Sequence, residues 1–100
     1  MIPSQNETPE ARLATCRERI DELDRRLVAL LNERTAVVEC IGQIKKEAQL
    51  PVYEPKREDA VYANIKANNH GPLPDDAVQR IFERIMDEMR KIQKERMVLK

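Results

Sequence analysis

Arg17, Arg34, Lys45 and Arg57 are the cations of this sequence best placed to do chemistry, with Glu54, Glu58 and Gln93 as polar company. Arg34 stands three residues before Val37, in an apolar file that continues through Ile41 and Ile44. Lys45 follows Ile44 directly, as Arg17 follows Cys16. A buried, unpaired Arg is costly, so a cation in an apolar file needs a partner. Arg34 alone is compatible with three: a carboxylate such as Glu58 or Glu88, a register-setting role in a helical seam, or an anionic ligand. Its neighbours favour the ligand. Arg57 and Glu58 follow a loop that brings them back near the end of the Arg34 segment. Gln93 places a neutral amide beside Ile92. Three or four cations and one amide lining an apolar cavity between helices make a site for a small dianion. Arg supplies a two-pronged fork that matches a carboxylate, and Lys a point charge.

Other chemistries lack their residues. The single His70 lies in a loop as a solvated turn residue, with no Ser-His-Asp or Cys-His arrangement around it. There is no metal-ligand spacing, glycine-rich phosphate loop or cofactor fingerprint. An enzyme built from this set works by positioning and electrostatics, without cofactor or metal. Cys16 and Cys40 are 24 positions apart, about 36 Å along one helix, too far to pair. They are expected to be small buried apolar residues.

The elements that must carry these residues are helical. "TPEA" at 8–11 reads as a helix start, with Thr8 as N-cap, Pro9 at the first helical position and Glu10 at the positive end of the dipole. Leu13, Cys16, Ile20, Leu23, Leu27, Leu30, Arg34, Val37, Ile41 and Ile44 then alternate steps of three and four, with Leu31 and Val38 widening the stripe. Gly42, the one glycine inside, costs about 1 kcal/mol against Ala and implies a close approach by a helix or ligand. Pro51 ends this first helix, predicted over 8–48. A short second helix over 54–68 starts with Glu54 and Pro55 and turns Val61 and Ile65 inward. Gly71 terminates it, and the prolines that follow prevent its continuation. A third helix over 75–97 carries a stripe of Val78, Phe82, Ile85, Met89 and Ile92. The chain is all-α, in the order long, short, long. Residues 1–7 read as a disordered lead, and 8–100 as a single domain.

A first helix of about 60 Å outreaches a compact 100-residue globule. An identical partner is the economical cover for its stripe. The 36% of charged residues balance to zero net charge, which argues against a general nucleic-acid binder. With 3% aromatics there is no base-stacking surface either. No signal-peptide-like or membrane-spanning apolar run is present, so a cytoplasmic protein with no membrane association is expected.

"CRERIDELDRRLVALLNER" (16–34), "IGQIK" (41–45), "PVYEPKRE" (51–58) and "NHGPLPDDAVQRIFERIMDEMRKIQ" (69–93) together resemble the all-helical chorismate mutase family. The resemblance implies an intertwined homodimer with two shared sites that rearranges chorismate to prephenate, in Phe and Tyr biosynthesis by the shikimate pathway, with no cofactor. It makes Arg17 the carboxylate-binding Arg lent by the partner chain and Arg34 its counterpart from the same chain. Lys45 falls at the lysine on the enolpyruvyl carboxylate and ether oxygen, and Gln93 at the ether-oxygen donor. Glu54 matches the loop acid whose backbone approaches the substrate hydroxyl, and Glu58 the acid whose side chain binds it. Arg57 is a further site Arg, and Ile41 an apolar wall. Met89 departs from the pattern, standing where a small polar residue binds a carboxylate; a thioether donates no hydrogen bond. Three alternatives remain: an isochorismate–pyruvate lyase on the same fold, a non-catalytic dimerisation module, and a regulatory or fused domain of a larger enzyme.

Overall fold

The computed structural model describes residue 3 and residues 5–98. Its helices are α1 (Pro9–Ala48), α2 (Pro55–Ala67) and α3 (Asp75–Val98), with no strand among the described residues. Residues 1, 2 and 4 of the lead lie outside the described residues, and residues 5–7 form a turn before α1. No described helix is long and apolar enough to cross a membrane. The chain divides into two units, residues 1–34 and 35–100.

In the first unit, Thr8 caps α1. Its hydroxyl oxygen accepts the Ala11 N–H at 3.1 Å and its carbonyl the Arg12 N–H at 3.0 Å. Pro9, next in line, has no N–H to leave unsatisfied. Leu13, Ile20, Leu27 and Leu30 are between 51% and 60% exposed and Leu23 is half-buried, so most of the apolar file is open in the single chain.

In the second unit, the stretch of α1 from residue 35 onward buries Val38, Gly42 and Lys45. Val37, Ile41 and Ile44, part of the stripe for which an identical partner is the expected cover, are exposed in the single chain. The buried file is its neighbour: a one-residue shift turns a side chain about 100° around a helix. A Cβ on Gly42 would stand 3.5 Å from Gln93 Cα and 3.6 Å from its carbonyl oxygen, so the glycine marks a close approach of α1 to α3. Met86 and Met89 complete the buried apolar set among the described residues. Met86 was absent from the expected stripe, whose other members, Val78, Phe82, Ile85 and Ile92, are half-buried. α2 packs on α3 and half-buries Val61, Tyr62 and Ile65.

Cys16 and Cys40 are both exposed, against the expectation of burial. Cys16 lies in the exposed apolar strip. Cys40 precedes Lys45 by five residues, about 500° of helical turn, and so lies on the opposite side of α1.

The helix ends aim the site. α1 closes with the Leu50 N–H on the Lys45 carbonyl (2.8 Å) and the Gln49 N–H on the Lys46 carbonyl (3.3 Å). Gln49 has φ 58. This is a Schellman closure with a non-glycine residue in the left-handed position, so the helix stops before Pro51 acts. Pro55 opens α2. Glu54, at its N-cap, leaves its side chain free of capping duty, while its carbonyl accepts the Glu58 N–H at 3.0 Å. Asn68, rather than Gly71, ends α2: its backbone N–H and its Nδ2 both reach the Asn64 carbonyl. Gly71, with φ 76, belongs to the turn beyond. There the Asn69 Nδ2 donates to the Leu73 carbonyl and to Asp75 Oδ1, at 2.8 and 2.7 Å, tying the turn to the start of α3.

Candidate active site

Lys45 is the centre of the second unit. It is 5% exposed, although an ammonium taken out of water is costly unless every N–H is matched. All three are matched. Nζ donates to the Val52 carbonyl at 2.8 Å and to Gln93 Oε1 at 3.0 Å, and pairs with Glu54 Oε1 at 2.7 Å. The Schellman turn makes this possible by returning the loop so that Val52 reaches back seven residues. An incoming acceptor must therefore replace one partner. Glu54 is the readiest to leave, since its side chain is 50% exposed.

Gln93 is buried at 9% exposure. Its Oε1 is committed to Lys45, which orients the amide and leaves Nε2 as an uncommitted donor. A buried cation and a neutral N–H donor thus stand side by side. Both favour an oxygen that gains negative charge.

Glu58 is held from α3. Arg90 Nε donates to Glu58 Oε2 at 2.7 Å, and the Arg90 Nη2 donates to Asp87 Oδ1 at 2.6 Å. The Arg90 guanidinium also lies 5.7 Å from the centroid of the Tyr53 ring, in the loop between α1 and α2. Burial lowers the Arg90 pKa, but the Glu58 and then the Asp87 carboxylates raise it more, so the net shift is upward. Glu88, the other carboxylate considered for Arg34, pairs with Arg84 and Lys91.

Among the remaining candidates, Met89 is buried, and the Thr35 hydroxyl donates to its Sδ at 3.5 Å. Ile41 is 38% exposed, and Arg57 is exposed on the first turn of α2. Arg17 and Arg34 belong to the first unit, Arg17 exposed and Arg34 half-buried. The structure therefore joins Lys45, Gln93 and Glu54 directly and places Glu58 on a separate ion pair. Arg90, Thr35, Tyr53 and the Val52 carbonyl were not singled out in the sequence. Arg90 had one available signal, Asp87 three residues earlier, but nothing local marks Glu58 as its second partner.

The family model for chorismate mutase type II matches residues 16–94. The bifunctional chorismate mutase/prephenate dehydratase of Neisseria gonorrhoeae is 40% identical over 83 residues, covering 83% of this chain and 22% of that protein. The chain thus spans about a fifth of that curated relative's length. The solved structure of Thermus thermophilus chorismate mutase (Form II) superposes with a TM-score of 0.81 at 34% identity, over 83% of this chain and 94% of that one. The Helicobacter pylori chorismate mutase in complex with prephenate gives 0.81 at 27% identity, over 88% and 96%.

Proposed function

We propose that this chain, which belongs to the type II chorismate mutase family, catalyses the rearrangement of chorismate to prephenate. The hydrogen bond from Lys45 to Gln93 carries this reading. Chorismate has two carboxylates and an ether bridge, and its reacting carbons meet only in a folded conformer. Cations at the carboxylates select that conformer and remove much of the entropic barrier. As the C–O bond breaks, negative charge gathers on the ether oxygen. Lys45 and the Gln93 Nε2 are donors that act more strongly on that charge than on the neutral ether, which lowers the barrier without a covalent intermediate.

Arg34, at the position of the family's carboxylate-binding Arg, is the cation for a second carboxylate. Glu58 Oε1, which has no hydrogen bond among the described residues, is the acceptor for the substrate's ring hydroxyl, with Glu54 and Arg57 nearby in sequence. Ile41 serves as apolar wall. The exposed file through Leu13, Ile20, Leu27 and Leu30 supports a second copy of the chain as cover, with Arg17 reaching the partner's site. The enzyme is a cytoplasmic homodimer serving Phe and Tyr biosynthesis.

Incubation with chorismate and, separately, isochorismate tests the assignment. Prephenate from chorismate is expected. Pyruvate and salicylate from isochorismate, with no prephenate from chorismate, would make the protein a lyase. Turnover of neither would make it a non-catalytic module.

A further inference from the structure

Arg90 joins α2, α3 and the loop between α1 and α2. It donates Nε to Glu58 on α2 and Nη2 to Asp87 on its own helix, and its guanidinium lies near Tyr53 in the loop. That loop is gripped twice. Lys45 holds its Val52 carbonyl and Glu54 carboxylate, and Arg90 meets the Tyr53 ring between them. Arg90 also sits three residues before Gln93, so the helix segment that orients the buried amide carries the guanidinium as well. The Glu58 side chain is only 18% exposed, and Arg90 holds one of its two oxygens. A carboxylate fastened through Oε2 is restricted in its rotation and presents Oε1 as its unengaged oxygen.

We propose that Arg90 is a positioning residue for the substrate hydroxyl: by fastening Glu58 Oε2 and bracing Tyr53 it sets Glu58 Oε1 as a single, directed acceptor. This rests on the chorismate mutase reading above and deepens it. The hydroxyl is not a reacting group, so its contact with Glu58 is made equally in the ground state and the transition state. Loss of such uniform binding raises KM and leaves kcat nearly unchanged, whereas loss of a Gln93 or Lys45 contact lowers kcat.

Steady-state kinetics of Arg90→Met, Glu58→Ala and the double variant with chorismate test this. Arg90→Met is expected to raise KM about tenfold with kcat within about twofold. In the Glu58→Ala background the same replacement should have little further effect, because the carboxylate through which Arg90 acts is gone. Asp87→Asn, which removes the other ion pair of Arg90 but spares Glu58, should stay within about twofold of wild type in KM. If Arg90→Met does not fold, Arg90→Lys serves in the cycle, since it keeps the charge but loses the directed Nε–H. An Arg90 effect that persists in full without Glu58, falls on kcat, or is absent overturns the proposal. Wild-type protein that converts no chorismate to prephenate overturns the functional reading beneath it, and the two failures are told apart by that first measurement.

Discussion

Replacing Gln93 with Glu keeps the size and shape of the side chain and exchanges a fixed donor for a titratable one. In the wild type, Oε1 receives the Lys45 ammonium at 3.0 Å, so Nε2 is the donor, and an amide does not change with pH. In Gln93→Glu only the protonated carboxyl can both accept from Lys45 and donate to the ether oxygen. Once ionised it offers no proton and repels the developing negative charge. Removal of one preorganised donor of this kind costs roughly 3 kcal/mol, or about 10²-fold in rate. Above the pKa of the new carboxyl, the protonated fraction falls about tenfold per pH unit. The ratio of variant to wild-type kcat/KM should therefore drop with a slope of −1 over about two pH units and then reach the floor set by Gln93→Ala. Taking the ratio at each pH cancels every group the two proteins share. Chorismate consumption and prephenate formation, measured from pH 5 to 9 on folded protein, give the profile. A flat ratio near one across that range would mean that Gln93 does not touch the reacting oxygen and that the α3 end of the site is misassigned.

Other outcomes follow from individual residues. In a symmetric dimer with Arg17 lent across the interface, mixing inactive Arg17→Ala and Arg34→Ala chains yields one intact site per mixed dimer, about a quarter of wild-type activity after full exchange; no recovery, with exchange confirmed by mass, would place both arginines in one chain's site. Gln49 stands at φ 58, where a side chain costs about 1–2 kcal/mol and glycine's extra unfolded-state freedom offsets part of that, so Gln49→Gly should stabilise the fold by roughly 0.5–1 kcal/mol in denaturant melts at fixed protein concentration. An unchanged or lower midpoint would mean that the left-handed turn is not adopted in solution. Burial, and then the Glu83, Glu58 and Asp87 carboxylates, push the Tyr62 phenol above its ordinary 10.0. The stability linked to Tyr62 is thus fully present below pH 10 and declines as pH rises through the folded value. In Tyr53→Phe, the phenolate absorbance should titrate with its midpoint above pH 10; a midpoint at or below it would show Tyr62 solvated.

The helices were legible because their signals are local. Thr8 with Pro9, and Pro55, act within a turn of themselves, and steps of three and four register a helix face over any short window; Pro51 and Gly71 marked the breaks, although Gln49 and Asn68 end the helices. The cations and Gln93 could be singled out by type and spacing, and the family pattern supplied their order. Which face of α1 turns inward was not legible. Val37–Ile41–Ile44 and Val38–Gly42–Lys45 are adjacent files, and the first is the more apolar. α3 nevertheless covers the second, where Gly42 lies against the Gln93 backbone and Lys45 finds the Val52 carbonyl, Glu54 and Gln93 together. The pairing of Glu58 with Arg90 joins residues 32 positions apart, and Thr35 meets Met89 across 54. Such contacts depend on where three helices stand in space, and a hydrophobic period is blind to that because it carries phase along one helix but no information about its neighbour.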